Sequence, residues 1–181
     1  FKDAVVKRKR LYGTLITSPM PFWSKYFPSI GLDFVFIDTE HIPLDRYQLS
    51  WMCNAFKNLN IAPFVRISHN EPELACQALD AGAQAVMAPY IETAEEVMGL
   101  VGAVKFRPIK GERLKQALEN GTTGNRKLDE GILKKCQQNV LFANIESRTA
   151  IHNLGEILCI DYLDGIIIGP SDLSYSLNIP G

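Results

Sequence analysis

The sequence predicts an α/β fold built on a parallel β-sheet, and two observations lead to this prediction. Strand-like runs alternate with helix-like stretches along the whole chain, as in repeated βα units. Several of these runs are apolar throughout, which is typical of strands buried on both faces of a parallel sheet. They are the runs 34–37, 61–65, 140–143 and 165–169. Each leads into polar or charged side chains, so functional groups are expected at one edge of the sheet.

Six strands are predicted, with helices between them, near residues 12–17, 33–38, 61–67, 84–88, 140–145 and 164–169. Two capping boxes, Asn70 to Glu73 and Thr93 to Glu96, predict helices that begin near residues 71 and 94. The helix after the second strand has apolar side chains at spacings of three and four, which suits packing onto a sheet. These side chains belong to Leu49, Met52, Cys53 and Phe56.

Residues 105–139 interrupt the regular alternation with a turn, a helical stretch and a second short helix. Long connections in compact domains often have a function. This excursion is therefore a candidate cover for the loop edge of the sheet.

Six βα units fit either an open doubly wound sheet or an incomplete eight-stranded barrel. A (β/α)8 barrel typically needs about 250 residues, and this chain of 181 residues is about two units short of that length. A barrel also brings the ends of the second, third, fifth and sixth strands around one mouth. The prediction is a single domain, residues 1–181, with a TIM (β/α)8-type barrel truncated after about six βα units.

Charge and cysteine usage limit the classes of partner and the compartment. Nineteen basic and twenty acidic residues give a net charge of -1, which supplies no long-range attraction for nucleic acid or an anionic membrane. No apolar run approaches the roughly 18 residues of a membrane span. The four cysteines are widely spaced and form no Cys-x-x-Cys pair, which favours reduced thiols and a cytoplasmic protein.

Two carboxylates are candidate metal ligands because each follows a buried strand. Glu146 and Asp172 occupy equivalent places after the fifth and sixth strands. With water and substrate oxygens they would form a hard oxygen site that suits Mg²⁺ or Mn²⁺. The alternative is that each acid caps a short helix.

His41 and Arg66 are candidates for proton transfer and anion binding. His41 follows Asp38 and Glu40 closely, and a carboxylate could fix its tautomer for acid–base chemistry near neutral pH. Arg66 ends the third strand and could bind a substrate carboxylate in bidentate fashion through two of its guanidinium nitrogens, or form an internal salt bridge instead. Lys105 remains a possible Schiff-base lysine, although its setting is not a clear buried strand.

The chain carries the motifs Phe36-Ile-Asp38-Thr-Glu40-His41, Val65-Arg66, Ala78–Gln84, Thr93–Glu96, Ile145-Glu146 and Asp164–Ser174 in this order. Taken together, they resemble the HpcH/HpaI aldolase family, the metal-dependent pyruvate aldolases of the phosphoenolpyruvate/pyruvate barrel superfamily. The resemblance covers nearly the whole chain and implies a metal held by Glu146 and Asp172, with Mg²⁺, Mn²⁺ or Co²⁺ as the ion. It also implies that Arg66 stabilises the pyruvate enolate oxygen and that backbone amides near Ser171 and Asp172 hold the substrate carboxylate.

The same resemblance implies roles for the remaining site residues. His41, oriented by Asp38, is expected to be the acid/base, and Glu40 to support metal-bound water. Asp80 is expected to reach a neighbouring subunit's site, which implies a homo-oligomer. Asn144 is expected to contact substrate, in a place where the family usually carries the longer glutamine.

The resulting hypothesis is a class II aldolase that cleaves a 4-hydroxy-2-oxo acid into pyruvate and an aldehyde, with the reverse reaction possible. Aldehyde selectivity is expected to be set largely by residues 106–138 and by segments that this sequence does not include. Two alternatives stay open. One is a related lyase that acts on a hydroxy acid linked to coenzyme A. The other is a catalytically degenerate barrel that serves as an assembly or binding subunit.

Overall fold

The computed structural model describes residues 1–179, apart from the side chains of residues 132 and 133. Residues 180 and 181, at which the predicted domain ends, lie outside the described part. Six parallel strands form one curled sheet in which each strand neighbours the next in sequence. Among the described residues, the first and sixth strands each pair with one strand only. The predicted incomplete barrel is therefore confirmed.

The six predicted strands are confirmed to within one residue at each end. They are β1 (Gly13–Ile16), β2 (Phe34–Asp38), β3 (Ala62–Arg66), β4 (Ala85–Ala88), β5 (Val140–Ile145) and β6 (Gly165–Ile168). The helices up to the excursion are α1 (Lys2–Val6), α2 (Trp23–Tyr26), a 3₁₀ turn (Phe27–Ser29), α3 (Arg46–Asn58), α4 (Pro72–Ala81) and α5 (Ala94–Lys105). The later ones are α6 (Gly111–Asn120), α7 (Arg126–Leu128), a π-helical turn (Asp129–Leu133), α8 (Lys134–Cys136), α9 (Arg148–His152), α10 (Leu154–Leu158) and α11 (Pro170–Ser176).

Side chains alternate between two cores along each strand, as the pleat of a strand requires. Outward-facing residues such as Val35, Val65 and Leu141 pack against the helices in the larger core. Inward-facing residues form a second core inside the barrel, rich in aromatic rings. Phe64 lies at its centre, 5.3 Å from the Phe36 ring and 5.2 Å from the Phe142 ring, centroid to centroid. This alternation decides which strand-end residues face the mouth of the barrel.

The two predicted helix starts are confirmed, but one of the predicted capping boxes is wrong. Thr93 and Glu96 form the expected reciprocal cap of α5. At α4 the N-cap residue is Glu71, which makes no side-chain capping bond, and Pro72 occupies the first helical position. The Asn70 amide instead donates to Glu96 at 3.1 Å, so a tertiary contact has replaced the local one.

A buried ion-pair cluster closes the end of the barrel that is formed by the amino ends of the strands. The candidate site residues follow the carboxyl ends, at the opposite end of the barrel. Lys105, the last residue of α5, is 1 % exposed and lies 2.5 Å from the Asp164 carboxylate just before β6. Lys2 of α1 pairs with the same carboxylate. Burial lowers the pKa of Lys105 to about 8, against the opposing effect of Asp164. The Schiff-base alternative loses support because this lysine lies at the wrong end of the barrel.

The excursion lies at this same closed end. It leaves α5 at Lys105 and returns to β5 beside Asn139, whose carbonyl accepts a hydrogen bond from Lys105. Its helix α6 packs through Leu114 against Gly102 near the end of α5. The expectation that residues 106–138 cover the loop edge is therefore wrong, whereas their effect on aldehyde selectivity stays a prediction. A connection from a helix to the next strand runs at the amino ends of the strands, whereas the site groups follow the carboxyl ends.

No helix within residues 1–179 has the length and apolar character needed to cross a bilayer. All four cysteines are free thiols.

Candidate active site at the strand ends

An ion pair between the ends of β2 and β3 forms the centre of the candidate site. Strand register places Asp38 directly opposite Arg66, and both residues fall on inward-facing positions. The Arg66 Nε donates to Asp38 Oδ1 at 2.9 Å, and its Nη2 bonds to the other carboxylate oxygen. Arg66 also lies 5.9 Å from the Phe36 ring centroid. The arginine fork is therefore fixed by its partner and by the aromatic core beneath it.

Electrostatics keep both members of this pair charged. Burial opposes ionisation of Asp38, but the hydrogen bonds from Arg66 and from two backbone N–H groups hold its pKa below the usual range. Burial also opposes the charge on Arg66, and the bond to Asp38 with the nearby carboxylates raises its pKa. The internal salt bridge that the sequence offered as an alternative role for Arg66 is therefore present in the structure. The remaining nitrogen of Arg66, Nη1, is not used by Asp38 and lies 3.0 Å from Glu40 Oε2.

Glu40 and His41 continue from Asp38 around the rim. Asp38 Oδ1 accepts the backbone N–H groups of Glu40 at 2.9 Å and His41 at 3.3 Å. Asp38 therefore positions His41 through the backbone rather than through the ring. The Glu40 Oε2 lies 3.0 Å from Arg66 Nη1 and 3.8 Å from His41 Nε2, yet that buried oxygen makes no well-directed hydrogen bond. Burial raises the pKa of Glu40, opposed by Arg66 and His41 and reinforced by Glu146.

Glu146 is buried at the end of β5 and held from two sides. Its Oε2 accepts the backbone N–H of Tyr90 at 2.9 Å. On the other side lies Gly169, where an added Cβ would come within 2.6 Å of Glu146 Cγ. The helix-cap alternative for Glu146 is wrong, because Ser147 occupies the N-cap of α9 and accepts the Ala150 N–H at 3.0 Å.

Sequence reasoning assigned no role to Tyr90 or Gly169, although both fix Glu146. Tyr90 contributes through its backbone N–H, which a sequence does not distinguish from any other. Its positive φ of 50° is uncommon for a residue with a side chain and marks a constrained loop. The Gly169 contact was detectable only as a glycine directly after an apolar strand, a pattern that often marks close approach.

Asp172 and Ser171 lie beside this position in the first turn of α11. The pairing of Ile145 with Ile168 and the 3.1 Å hydrogen bond from Gly169 N to Ile145 O bring the start of this helix next to Glu146. Both residues are exposed. Gly169 is the N-cap residue of α11, so the alternative in which Asp172 caps the helix is also wrong.

The donor chemistry of this edge fits a divalent cation. Glu146 has one oxygen engaged by Tyr90 and a second that is free of that bond, and Asp172 carries an exposed carboxylate in the neighbouring turn. Within residues 1–179 no three or more His, Cys, Asp or Glu side chains are grouped so as to form a metal site by themselves. A cation here would depend on two carboxylates with water and substrate oxygens.

Asp80 is the predicted site residue that the fold does not bring to this edge. It lies in the last turn of α4 and pairs with Arg107. It lines a groove of about 500 Å³ between α3 and α4, and also a cavity of about 800 Å³ at the closed end of the barrel. Within one chain, Asp80 is therefore separate from the strand-end cluster.

Known proteins with related sequences and folds were found over nearly the whole chain. The profile of the HpcH/HpaI aldolase/citrate lyase family matches residues 15–181. A hydroxypyruvate/pyruvate aldolase of Roseobacter denitrificans is 31 % identical over 181 residues, covering 100 % of this chain and 70 % of that protein. A 4-hydroxy-2-oxo-heptane-1,7-dioate aldolase of Salmonella dublin is 29 % identical, covering 100 % of this chain and 68 % of that protein.

The crystal structure of an HpcH/HpaI aldolase from Desulfitobacterium hafniense superposes with a TM-score of 0.82. It covers 100 % of this chain and 70 % of that chain at 24 % identity. At that identity the likeness supports the fold.

Proposed function

Because this chain belongs to the HpcH/HpaI aldolase/citrate lyase family, we propose that it cleaves 4-hydroxy-2-oxo acids into a 2-oxo acid and an aldehyde, and catalyses the reverse reaction. The aldolase names of its relatives support this carbon–carbon lyase activity. The observation that carries the proposal is the Arg66 fork at the carboxyl end of β3, which is fixed by Asp38 and lies at the same edge of the sheet as the buried Glu146 after β5.

In the cleavage direction, the C3–C4 bond of the substrate breaks and its electron pair passes to C3. Negative charge then develops on the C2 oxygen as an enolate forms. Arg66 Nη1 is a charged donor that Asp38 does not use and that Glu40 Oε2 approaches at 3.0 Å, and we assign it to this oxygen. A preorganised charged donor of this kind is worth roughly 10²- to 10³-fold in rate.

The 4-hydroxyl must lose its proton as the aldehyde forms, and we assign this step to His41. Its side chain is 65 % exposed and its Nε2 lies 3.8 Å from Glu40. It therefore stands at the solvent side of the rim, where the aldehyde half of the substrate would enter. In the reverse direction the same ring returns the proton to the new hydroxyl.

We assign cation binding to Glu146 and Asp172, with Glu40 supporting a bound water. An Mg²⁺ or Mn²⁺ ion, with Co²⁺ also compatible, would act as a Lewis acid on the keto oxygen of the 2-oxo acid. The N–H groups of Ser171 and Asp172 lie in a helical first turn, where they lack partners within the helix. They are assigned to the substrate carboxylate.

We further propose a cytoplasmic homo-oligomer in which Asp80 acts across a subunit boundary. Asp80 lies away from the mouth of its own chain, and its side chain is 65 % exposed beside Arg107. Mixing inactive His41→Ala and Asp80→Asn proteins tests this, because a shared site would regain activity in mixed oligomers. Lack of any recovery in verified mixed oligomers would contradict the shared site.

Metal dependence tests the proposed function directly. Treatment of the full protein with EDTA should abolish cleavage of a 4-hydroxy-2-oxo acid, and added Mg²⁺, Mn²⁺ or Co²⁺ should restore it. Activity that survives complete metal removal would refute the assignment.

Three further measurements separate the alternatives. Borohydride trapping with pyruvate would leave an adduct only with a Schiff-base lysine. A preference for coenzyme A esters over free 2-oxo acids would favour the related lyase. A binding subunit without catalytic function should show no metal-linked binding of oxalate, which mimics the pyruvate enolate.

A further inference from the structure

Glu92 and Ser147 join the two chain segments that hold Glu146 in place. Glu92 lies in the loop between β4 and α5, and Ser147 directly follows Glu146 after β5. The Ser147 hydroxyl donates a hydrogen bond to the Glu92 carboxylate. The two residues are 55 positions apart in sequence, so the contact is tertiary, and none of the steps assigned to the site uses it.

This bond completes a reciprocal clamp between the loop and the segment at the end of β5. Two residues earlier in the loop, the Tyr90 N–H donates to Glu146 Oε2 at 2.9 Å. Between these two bonds, the Ile91 N–H donates to the Asn144 carbonyl at 3.1 Å. The Asn144 backbone therefore belongs to the clamp, while the contact of its buried side chain with substrate stays a prediction. Successive loop residues 90–92 are each bonded to the neighbouring segment, and each segment supplies one carboxylate.

The clamp acts on the backbone conformation of Tyr90. Its φ of 50° lies in a region that residues with a side chain keep only where surrounding contacts impose it. The residue is 52 % exposed, so packing of its own ring contributes little. The bonds made by Ile91 and Glu92 are among the contacts that impose this φ. Loss of the Glu92 bond would allow Tyr90 to relax and its N–H to turn away from Glu146.

Both partners of the Glu92–Ser147 bond are fixed by further hydrogen bonds. Ser147 is 3 % exposed, and its oxygen accepts the Ala150 N–H at 3.0 Å, so its single hydroxyl hydrogen is available for Glu92. The Glu92 carbonyl accepts the Asn153 side-chain amide at 2.8 Å. The Glu92 N–H donates to Glu96 Oε2, also at 2.8 Å. The Glu92 carboxylate is therefore an acceptor on a fixed backbone rather than a mobile surface group.

We propose that Glu92 is a positioning residue for the proposed cation site. Its bond to Ser147 keeps the loop in the conformation in which the Tyr90 N–H orients the Glu146 carboxylate. This inference rests on the proposed function, because it takes Glu146 to be a metal ligand. Groups that orient a metal ligand typically contribute about 10- to 100-fold in metal affinity. Glu92 acts one contact further away, so the lower end of that range, about tenfold, is expected.

The test compares Mn²⁺ binding by the wild-type protein and by Glu92→Ala, measured by isothermal titration on the full chain. Glu92→Ala should bind Mn²⁺ about tenfold more weakly. Its kcat/KM should fall at limiting Mn²⁺ and recover at saturating Mn²⁺, because the variant lacks metal affinity rather than a reacting group. Without metal, the Tyr90 N–H should exchange with solvent deuterium about tenfold faster, as followed by NMR, because the loop opens more often.

Two further variants separate the hydrogen bond from the charge of Glu92. Glu92→Gln keeps an acceptor for the Ser147 hydroxyl and removes the negative charge, so its Mn²⁺ affinity should stay within about threefold of the wild type. Ser147→Ala breaks the same bond from the other side. Adding it to Glu92→Ala should cause little further loss of affinity, because the bond is already broken. Ser147→Ala alone provides the measurement if Glu92→Ala does not fold.

Asp129→Ala is the matched control for the loss of a carboxylate that binds hydroxyl groups. Asp129 lies in the excursion at the closed end of the barrel, where it accepts the hydroxyls of Thr122 at 2.6 Å and Thr123 at 2.8 Å. Asp129→Ala should leave both the Mn²⁺ affinity and the exchange of the Tyr90 N–H unchanged.

The outcomes separate this inference from the proposed function. Wild-type Mn²⁺ affinity or an unchanged Tyr90 exchange rate in Glu92→Ala would overturn the positioning role and leave the aldolase intact. Equal losses of affinity in Glu92→Gln and Glu92→Ala would also overturn it, since charge would then be responsible. Absence of Mn²⁺ binding by the wild-type protein would overturn the proposed function and this inference together.

Discussion

Replacing Gly169 by alanine tests whether Glu146, the proposed metal ligand, needs the space that the absence of a side chain at position 169 leaves. The added Cβ would lie 2.6 Å from Glu146 Cγ and 2.9 Å from its Cδ, closer than real Cβ contacts allow. The backbone of Gly169 is extended, with φ -90° and ψ 94°, so alanine adopts it without strain. The substitution therefore acts through the contact alone, and Glu146 must move.

The expected magnitude follows from what that movement breaks. Displacement would remove the 2.9 Å hydrogen bond from Tyr90 N to Glu146 Oε2. A hydrogen bond to a charged group contributes about 1.5–3 kcal/mol, which corresponds to roughly 10- to 100-fold in affinity. Mn²⁺ binding to the alanine variant, measured by isothermal titration, should weaken by about that factor, and kcat/KM should fall with it.

Gly155→Ala provides the matched control. Gly155 lies within α10, and an added Cβ there would have no atom within 4 Å. Alanine should stabilise that helix by up to about 1 kcal/mol and leave Mn²⁺ affinity unchanged. If Gly169→Ala folds, as judged by circular dichroism, and binds Mn²⁺ with wild-type affinity, the positioning role of Gly169 is refuted.

Three other predictions concern charge and burial. Arg66→Lys loses the two-pronged bond to Asp38, so kcat/KM should fall about 10²-fold or more in steady-state assays; retention of near wild-type activity would contradict the enolate role. The pKa of Asp38 lies below its usual 3.8 in the folded protein, so its stabilising contribution is complete above that pH and lost as the pH falls through the folded value. The difference in unfolding free energy between the wild-type protein and Asp38→Asn should therefore narrow in denaturant titrations below about pH 4. A difference that widens at low pH would show that folding raises the pKa of Asp38 instead of lowering it. Burial raises the pKa of Cys53 to about 12, so a thiol reagent at pH 8 should label exposed Cys159 in the native protein and reach Cys53 only after unfolding.

The predicted strand positions agree closely with the structure because their signal is local. A buried parallel strand such as Val140–Ile145 needs apolar residues on both faces, and the chain displays that pattern without reference to any partner. The incomplete barrel followed from the count of βα units and from the need to gather the strand ends. The start of α5 was predictable for the same reason, since Thr93 and Glu96 cap it within one turn.

Local patterns failed where a distant group competed for the same side chain. Asn70 is a residue type that favours helix N-caps, but its side-chain amide donates a hydrogen bond to Glu96 instead. Glu146 resembles a cap as well, yet Ser147 performs that role and the Tyr90 N–H takes the carboxylate. Each outcome depends on which loop lies nearby, and that proximity is created by the closure of the sheet.

The sequence by itself determined the order of strands and helices, the edge at which polar groups collect, and the family to which the chain belongs. These properties depend on residue type and spacing along the backbone. Only the tertiary structure decided that residues 106–138 lie at the opposite end from the site and that Gly169 and Tyr90 together hold Glu146. It alone joined Glu92 to Ser147. Contacts of this kind join residues far apart in sequence, and they exist only after the parallel strands have been placed side by side.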